Sequence, residues 1–235
     1  MDATIAQSAW WLQAYAWVDA RKKPLLWAGG LFLLVGIVIA YYFWNRAEKE
    51  VAASEALSAA SAAQAQPGRT EKADGYLKVA AEFPGTSGAA QALLRAGAVL
   101  FAESKFAEAQ TQFERFLRDH RENPLASQAM FGVAACLEAQ GKTAEAVERY
   151  KLLIERRSGE SVIPQAKLAL AGLYEKQQKP EAARNLYEDV ARTSPFSSLG
   201  SQAALRLEAL LEKHPALASA PAAATNTLPL RLNQP

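Results

Sequence analysis

The sequence contains one cysteine, Cys136, and two histidines, His120 and His214. A single thiol excludes an intramolecular disulfide framework and any cysteine-based zinc site. The histidines stand beside Asp119 and Arg121 and beside Lys213 and Pro215, at expected helix ends, far from any second ligand, so no metal is expected. Charge of one sign is also lacking. The formal net charge is +2 and no dense Lys/Arg stripe occurs, which argues against nucleic acid as a partner. There is no glycine-rich phosphate loop and no Ser-His-Asp set. Glu71, Glu108 and Glu145 recur at a fixed interval on what read as solvated helix faces, too far apart for paired acid–base work. Neither catalysis nor a cofactor is expected.

What is present begins with Leu25–Trp44, "LLWAGGLFLLVGIVIAYYFW", a run without a charge. As a helix it extends about 30 Å, the thickness of a bilayer core. Its Leu, Ile, Val and Phe residues favour insertion by about 3 to 7 kcal/mol in sum. Pro24 suits a first helical turn, and "YYFW" reads as an interfacial aromatic belt. A buried core helix is rarely apolar all round for this length. A cleaved signal peptide has a shorter apolar region and small residues at its end. An uncleaved membrane anchor over residues 24–44 is therefore expected, in contact with the lipid bilayer. Gly29, Gly36 and Ala40 share one stripe, a candidate contact face for another membrane helix.

Arg21, Lys22 and Lys23 precede the run; Arg46 and Lys49 follow it, mixed with Glu48 and Glu50. Positive charge favours the cytoplasm, so the N-terminus is expected inside and the remainder outside. The leader, residues 1–23, carries Trp10, Ala14 and Trp17 on one helical face and Trp11, Tyr15 and Val18 on the next, as in a helix lying on a membrane surface. A disordered leader rich in aromatics by chance is the alternative.

Beyond the run, residues repeat. A step of 37 residues connects Gln91-Ala92, Gln128-Ala129, Gln165-Ala166 and Gln202-Ala203. The same step connects Tyr76, Phe113, Tyr150 and Tyr187, then Lys105, Lys142 and Lys179, then Val79, Phe116, Leu153 and Val190. A fixed period of this size signals stacked units that bury a shared core. Each copy holds two helical patterns, A and B, with copies at about 48–84, 85–121, 122–158 and 159–195 and a final A-type capping helix at 199–213. Within the first copy, Pro67-Gly68 turns A into B. The solenoid as a whole covers 45–214, and the Ala/Pro-rich tail, 215–235, reads as disordered. Cys136 shares a column with Val99 and Leu173, so a buried thiol is expected.

These residues resemble the tetratricopeptide repeat. Gly97, Ala134 and Ala171 stand at its small A-helix position, and Ala109, Ala146 and Ala183 at its early B-helix alanine. The aromatics follow four residues later, and Pro84 and Pro195 close two copies. Arg121 and Ser158 replace that proline in the others, and the period exceeds the family's. The resemblance implies an all-α helical-hairpin solenoid whose groove is lined from the A helices. By column, the candidate peptide groove comprises Gln91, Leu94 and Ala98, then Gln128, Phe131 and Ala135, then Gln165, Leu168 and Gly172, with Gln202 and Leu205 on the capping helix. Such a trough is uncharged, partly apolar and crossed by amides, suited to extended polypeptide. In the alternative, the Leu94 column packs into the core. Repeats that grip acidic chaperone tails place Asn where Ala98, Ala135 and Gly172 stand, so that clamp is missing.

A short leader, one span continuing into an Ala-rich helix, and an exported solenoid resemble the ancillary subunit family of the bacterial SecYEG translocon, with the blocks Tyr41–Asn45, Gln91–Gly97 and Phe106–Phe113 carrying the likeness. That resemblance implies an inner-membrane protein with a periplasmic solenoid, whose partners are translocon subunits, a periplasmic chaperone or prolyl isomerase, and unfolded exported chains. Two alternatives are an envelope scaffold for outer-membrane assembly or cell division, and a cytosol-facing adaptor of reversed topology.

Overall fold

The computed structural model describes residue 17 and residues 22–64, 72–157 and 161–218. The rest of the leader through Arg21, the Pro67-Gly68 turn, Ser158 and the tail from Ser219 lie outside the described residues. The chain divides into two units, Met1–Glu55 and Ala56–Pro235.

In the first unit, helix α1, Lys22–Gln64, runs 43 residues without a break and continues into the second. Pro24 falls in its first turn, and no later proline interrupts it. From Leu31 to Trp44 every side chain is exposed, Phe32 at 85%. Among the described residues this is the one helix long and apolar enough to cross a membrane, a property shared by anchors and signal sequences.

The second unit is all helix among its described residues. After the end of α1 come α2 (Ala73–Glu82), α3 (Ser87–Ala102), α4 (Phe106–Asp119), α5 (Ala126–Ala139), α6 (Thr143–Arg156), α7 (Ile163–Lys176), α8 (Pro180–Thr193), α9 (Ser198–Lys213) and the short α10 (Pro215–Ala218). From α2 onward, consecutive helices pack chiefly on one another. This is the stack of hairpins that the 37-residue period predicts.

The period survives as a pattern of burial. Ala92, Ala129, Ala166 and Ala203 are all fully buried, as are Ala109, Ala146 and Ala183. Tyr76, Phe113, Tyr150 and Tyr187 are buried in turn, and so are Val99, Cys136, Leu173 and Leu210. Alanine recurs because two helix backbones approach there, and a longer side chain would separate them. The core forms two clusters. One runs from Leu57 to Leu173; the other gathers Leu168, Ala171, Ala183, Tyr187, Val190, Ala203 and Leu210. Helix α7 serves both.

The turns repeat as well. Ser104, Gly141 and Gln178 each adopt a positive φ, at 61°, 76° and 57°. The next residue, Lys105, Lys142 or Lys179, donates its N–H to the carbonyl five positions back, that of Leu100, Leu137 or Tyr174, at 2.8–2.9 Å. That bond pattern with a left-handed residue is the Schellman C-cap. Glycine fills it without strain only at position 141.

The missing prolines have a structural counterpart. Where Pro84 and Pro195 are present, B connects to A through 83–86 and 194–197. Thr86 and Ser197 then cap the following helix by accepting from Ala89 and Gly200 N–H. Where Arg121 stands instead, the connection lengthens to 120–125, and Asn123 Oδ1 accepts from Leu125 N at 2.9 Å. The tail expected from residue 215 starts as α10. Leu217 is buried, and Arg184 Nη1 donates to its carbonyl at 2.7 Å, which holds that turn in place.

Candidate functional site

The A-type helices α3, α5, α7 and α9 each present one residue of the Gln column. Gln91, Gln128, Gln165 and Gln202 are exposed, although the alanine next to each is fully buried. Residues at i, i+3 and i+7 share a helix face, so Gln91, Leu94 and Ala98 form one stripe on α3. Equivalent stripes lie on α5 and α7. Ala98 is exposed, and Ala135 and Gly172 are half-buried.

The apolar column behaves differently from copy to copy. Leu94 and Phe131 are half-buried and pack against the larger core cluster. The Phe131 ring lies 5.7 Å from that of Tyr150, tilted by 54°. Leu168 is buried at 8%, within the second cluster, and Leu205 is 68% exposed. The column is thus shared between core and surface. The amides and the small residues beside them supply most of what a ligand can reach. A side-chain amide both donates and accepts, so the column can pair with a peptide backbone without regard to sequence. No residue of the three columns is charged, and the ion pairs lie on other positions.

At the C-terminal end of these stripes on α5 and α7 lies a polar seam that single columns did not reveal. Tyr150 Oη donates to Glu138 Oε2 at 3.3 Å, and Tyr187 Oη donates to Glu175 Oε1 at 2.5 Å. Glu138 and Glu175 are themselves one period apart. Lys176 Nζ donates to Glu138 Oε1 at 3.3 Å, tying one copy to the next. The copy with Phe113 has Phe101 at the glutamate position. Burial, then Glu175, pushes the Tyr187 phenol up to about 12, an effect opposed by Arg206. Burial and Glu138 likewise raise Tyr150. Burial above all pushes the Cys136 thiol up to about 12, so it is the inert buried thiol expected from its column. Glu108 and Glu145 are exposed on separate B helices, α4 and α6. Among the described residues no group of three potential metal ligands occurs. On α1, Ala40 is exposed and a methyl group on Gly36 would meet nothing within 4 Å; Gly29 lies in the same helix.

A tetratricopeptide repeat model matches residues 90–161 and 139–198. The stretch 90–198 therefore carries tetratricopeptide repeats. Solved structures are similar at low identity. BtubC from P. vanneervenii is 16% identical, with 69% of this chain and 67% of that chain covered and a TM-score of 0.51. TPR-like repeats of a Podosopora anserina kinesin light chain are 14% identical, with coverages of 72% and 86% and a TM-score of 0.50. PcrH from Pseudomonas aeruginosa is 16% identical over 53% of this chain and 92% of its own, with a TM-score of 0.47. No curated protein matches the sequence.

Proposed function

With tetratricopeptide repeats as the premise, we propose that this chain is a membrane-anchored protein-interaction scaffold of the bacterial envelope. Its solenoid receives extended polypeptide. The observation that carries this reading is the exposed glutamine on each of α3, α5, α7 and α9, beside a fully buried alanine and in columns that hold no charged residue. Surface glutamines unrelated to function have no reason to keep one register through three copies and the capping helix.

The exposed apolar stretch of α1 supports an uncleaved anchor at residues 24–44 in the inner membrane. Arg21, Lys22 and Lys23 support a cytoplasmic N-terminus and a periplasmic solenoid. The architecture supports association with the Sec translocon and hand-over of exported chains to a periplasmic chaperone or prolyl isomerase. The face formed by Gly29, Gly36 and Ala40 would meet a membrane helix of that assembly. Scaffolding of outer-membrane assembly or cell division uses the same surfaces with other partners.

Alkaline phosphatase fused after Asn233 tests topology: activity is expected, and inactivity with a fluorescent cytosolic fusion reverses it. A photocrosslinker at Gln128 then tests the face. Adducts with nascent exported chains are expected, while a crosslinker at exposed Glu145 on α6 gives the background. Equal yields at both positions would refute the groove. Purification in mild detergent separates the partners: translocon subunits support the Sec reading, and recovery of cell-wall or outer-membrane factors alone replaces it.

A further inference from the structure

In α9 the stripe Leu205, Glu208, Ala209 and Glu212 is exposed, with Leu205 at 68%. Its equivalents Leu94, Phe131 and Leu168 are half-buried or buried. No described helix covers α9 on this side. The chain leaves nearby, since α10 follows α9 directly and Arg184 fixes the carbonyl of Leu217.

The geometry points to a segment of this same chain, Leu228–Leu232, as the occupant of that stripe. Among the 17 residues after Ala218, Leu228, Leu230 and Leu232 are the only large apolar side chains and Arg231 the only charge. Pro229 biases Leu228 to an extended backbone. In an extended segment, alternate residues share a side, so the three leucines face one way. Leu205 and Ala209 offer them an apolar strip. Glu208 and Glu212 border it; Arg231 falls on the other side of the extended segment and contributes only a charge of opposite sign nearby. The segment can reach the strip. Residues 219–227 span up to about 30 Å when extended, and Leu205 lies about 12 Å along the helix from the end of α9. The segment therefore lies along α9 and shields the face that no described helix covers.

The test uses the full chain in mild detergent with Leu205→Cys and Leu230→Cys together; buried Cys136 stays out of the reaction. Mild oxidation is expected to give an intramolecular disulfide at least about tenfold faster than a control pair of Leu230→Cys with Glu181→Cys, because docking raises the effective concentration. Equal rates overturn the proposal. Disulfide-linked dimers overturn it in favour of a second copy on the stripe. A second measurement leaves the folded core untouched. In Leu228→Ser/Leu230→Ser/Leu232→Ser, amide exchange around Leu205 is expected to accelerate several-fold, and unchanged exchange contradicts the docking.

Discussion

Phe113 and Tyr187 occupy the same place in two hairpins, but they are held differently. Phe113 lies between two glycines: a methyl group on Gly97 or on Gly132 would come within 2.7 Å of its ring. Tyr187 has Ala171 at the position of Gly97, Arg206 at that of Gly132, and Glu175 accepting from its hydroxyl. Tyr150 lies between these cases, with Ala134, Ala169 and Glu138. A buried hydroxyl requires an acceptor, and an unpaired one costs about 1–3 kcal/mol. The hairpin stack therefore accepts either a dry ring in a backbone slot or a phenol in a polar seam. What it fixes is that neighbours one seam away change with the ring.

The largest test removes the dry ring. Phe113→Ala should lower stability by about 3–5 kcal/mol, read as a lower urea midpoint at an unchanged slope. Next is filling the close approaches. Ala146→Leu should lose about 1–3 kcal/mol by overpacking. Gly132→Ala should lose about 1 kcal/mol, because the clash with Phe113 outweighs a helix-propensity gain of about 1 kcal/mol. Gly172→Ala should instead gain about 0.5–1 kcal/mol, since its new methyl meets only Arg206 Nη1 at 3.6 Å. A Phe113→Leu background should remove most of the Gly132→Ala loss in a double-mutant cycle. If both glycine changes shift the midpoint in one direction, the slot around Phe113 is not what distinguishes them.

Exchanging the two solutions gives smaller effects. Phe113→Tyr, facing Phe101 rather than a glutamate, should lose about 1–3 kcal/mol, and Tyr187→Phe about 1 kcal/mol. The seam also sets a pH dependence. Tyr187 is raised from its ordinary 10.0 to about 12, first by burial and then by Glu175. The unfolded phenol ionises first, so this contribution is complete below pH 10.0 and declines as pH rises to about 12. Alkaline titration followed by circular dichroism should show the loss reduced in Tyr187→Phe. The smallest effects belong to the turns. Ser104→Gly and Gln178→Gly should each stabilise by a few tenths to about 1 kcal/mol, by relieving a left-handed residue. Gly141→Ala should destabilise by a similar amount.

The fold was legible because the repeat keeps a strict period, so Gln-Ala pairs and aromatics one step apart had to share environments. The lengthened connection at Arg121 was legible only as a missing proline. Its added residues and the Asn123 cap depend on backbone geometry, which no single column states. The polar seam was hidden for another reason. Tyr150 and Glu138 lie 12 positions apart on different helices of one hairpin, and pairing them requires knowing how the helices cross. The candidate groove was readable as a set of columns. How Leu94, Phe131, Leu168 and Leu205 divide between core and surface follows from what packs beside each, and that differs along the stack.

Helix α7 turns Leu170 and Leu173 to one core and Leu168 and Ala171 to the other. A wall shared by two rooms lets one be emptied while the other stands. Opening should therefore propagate in blocks, with α8 and α9 separating from α7 as one cooperative unit while the hairpins before it stay protected. A chain passing along the A helices would cross that boundary, and its grip on either side would stitch the blocks together.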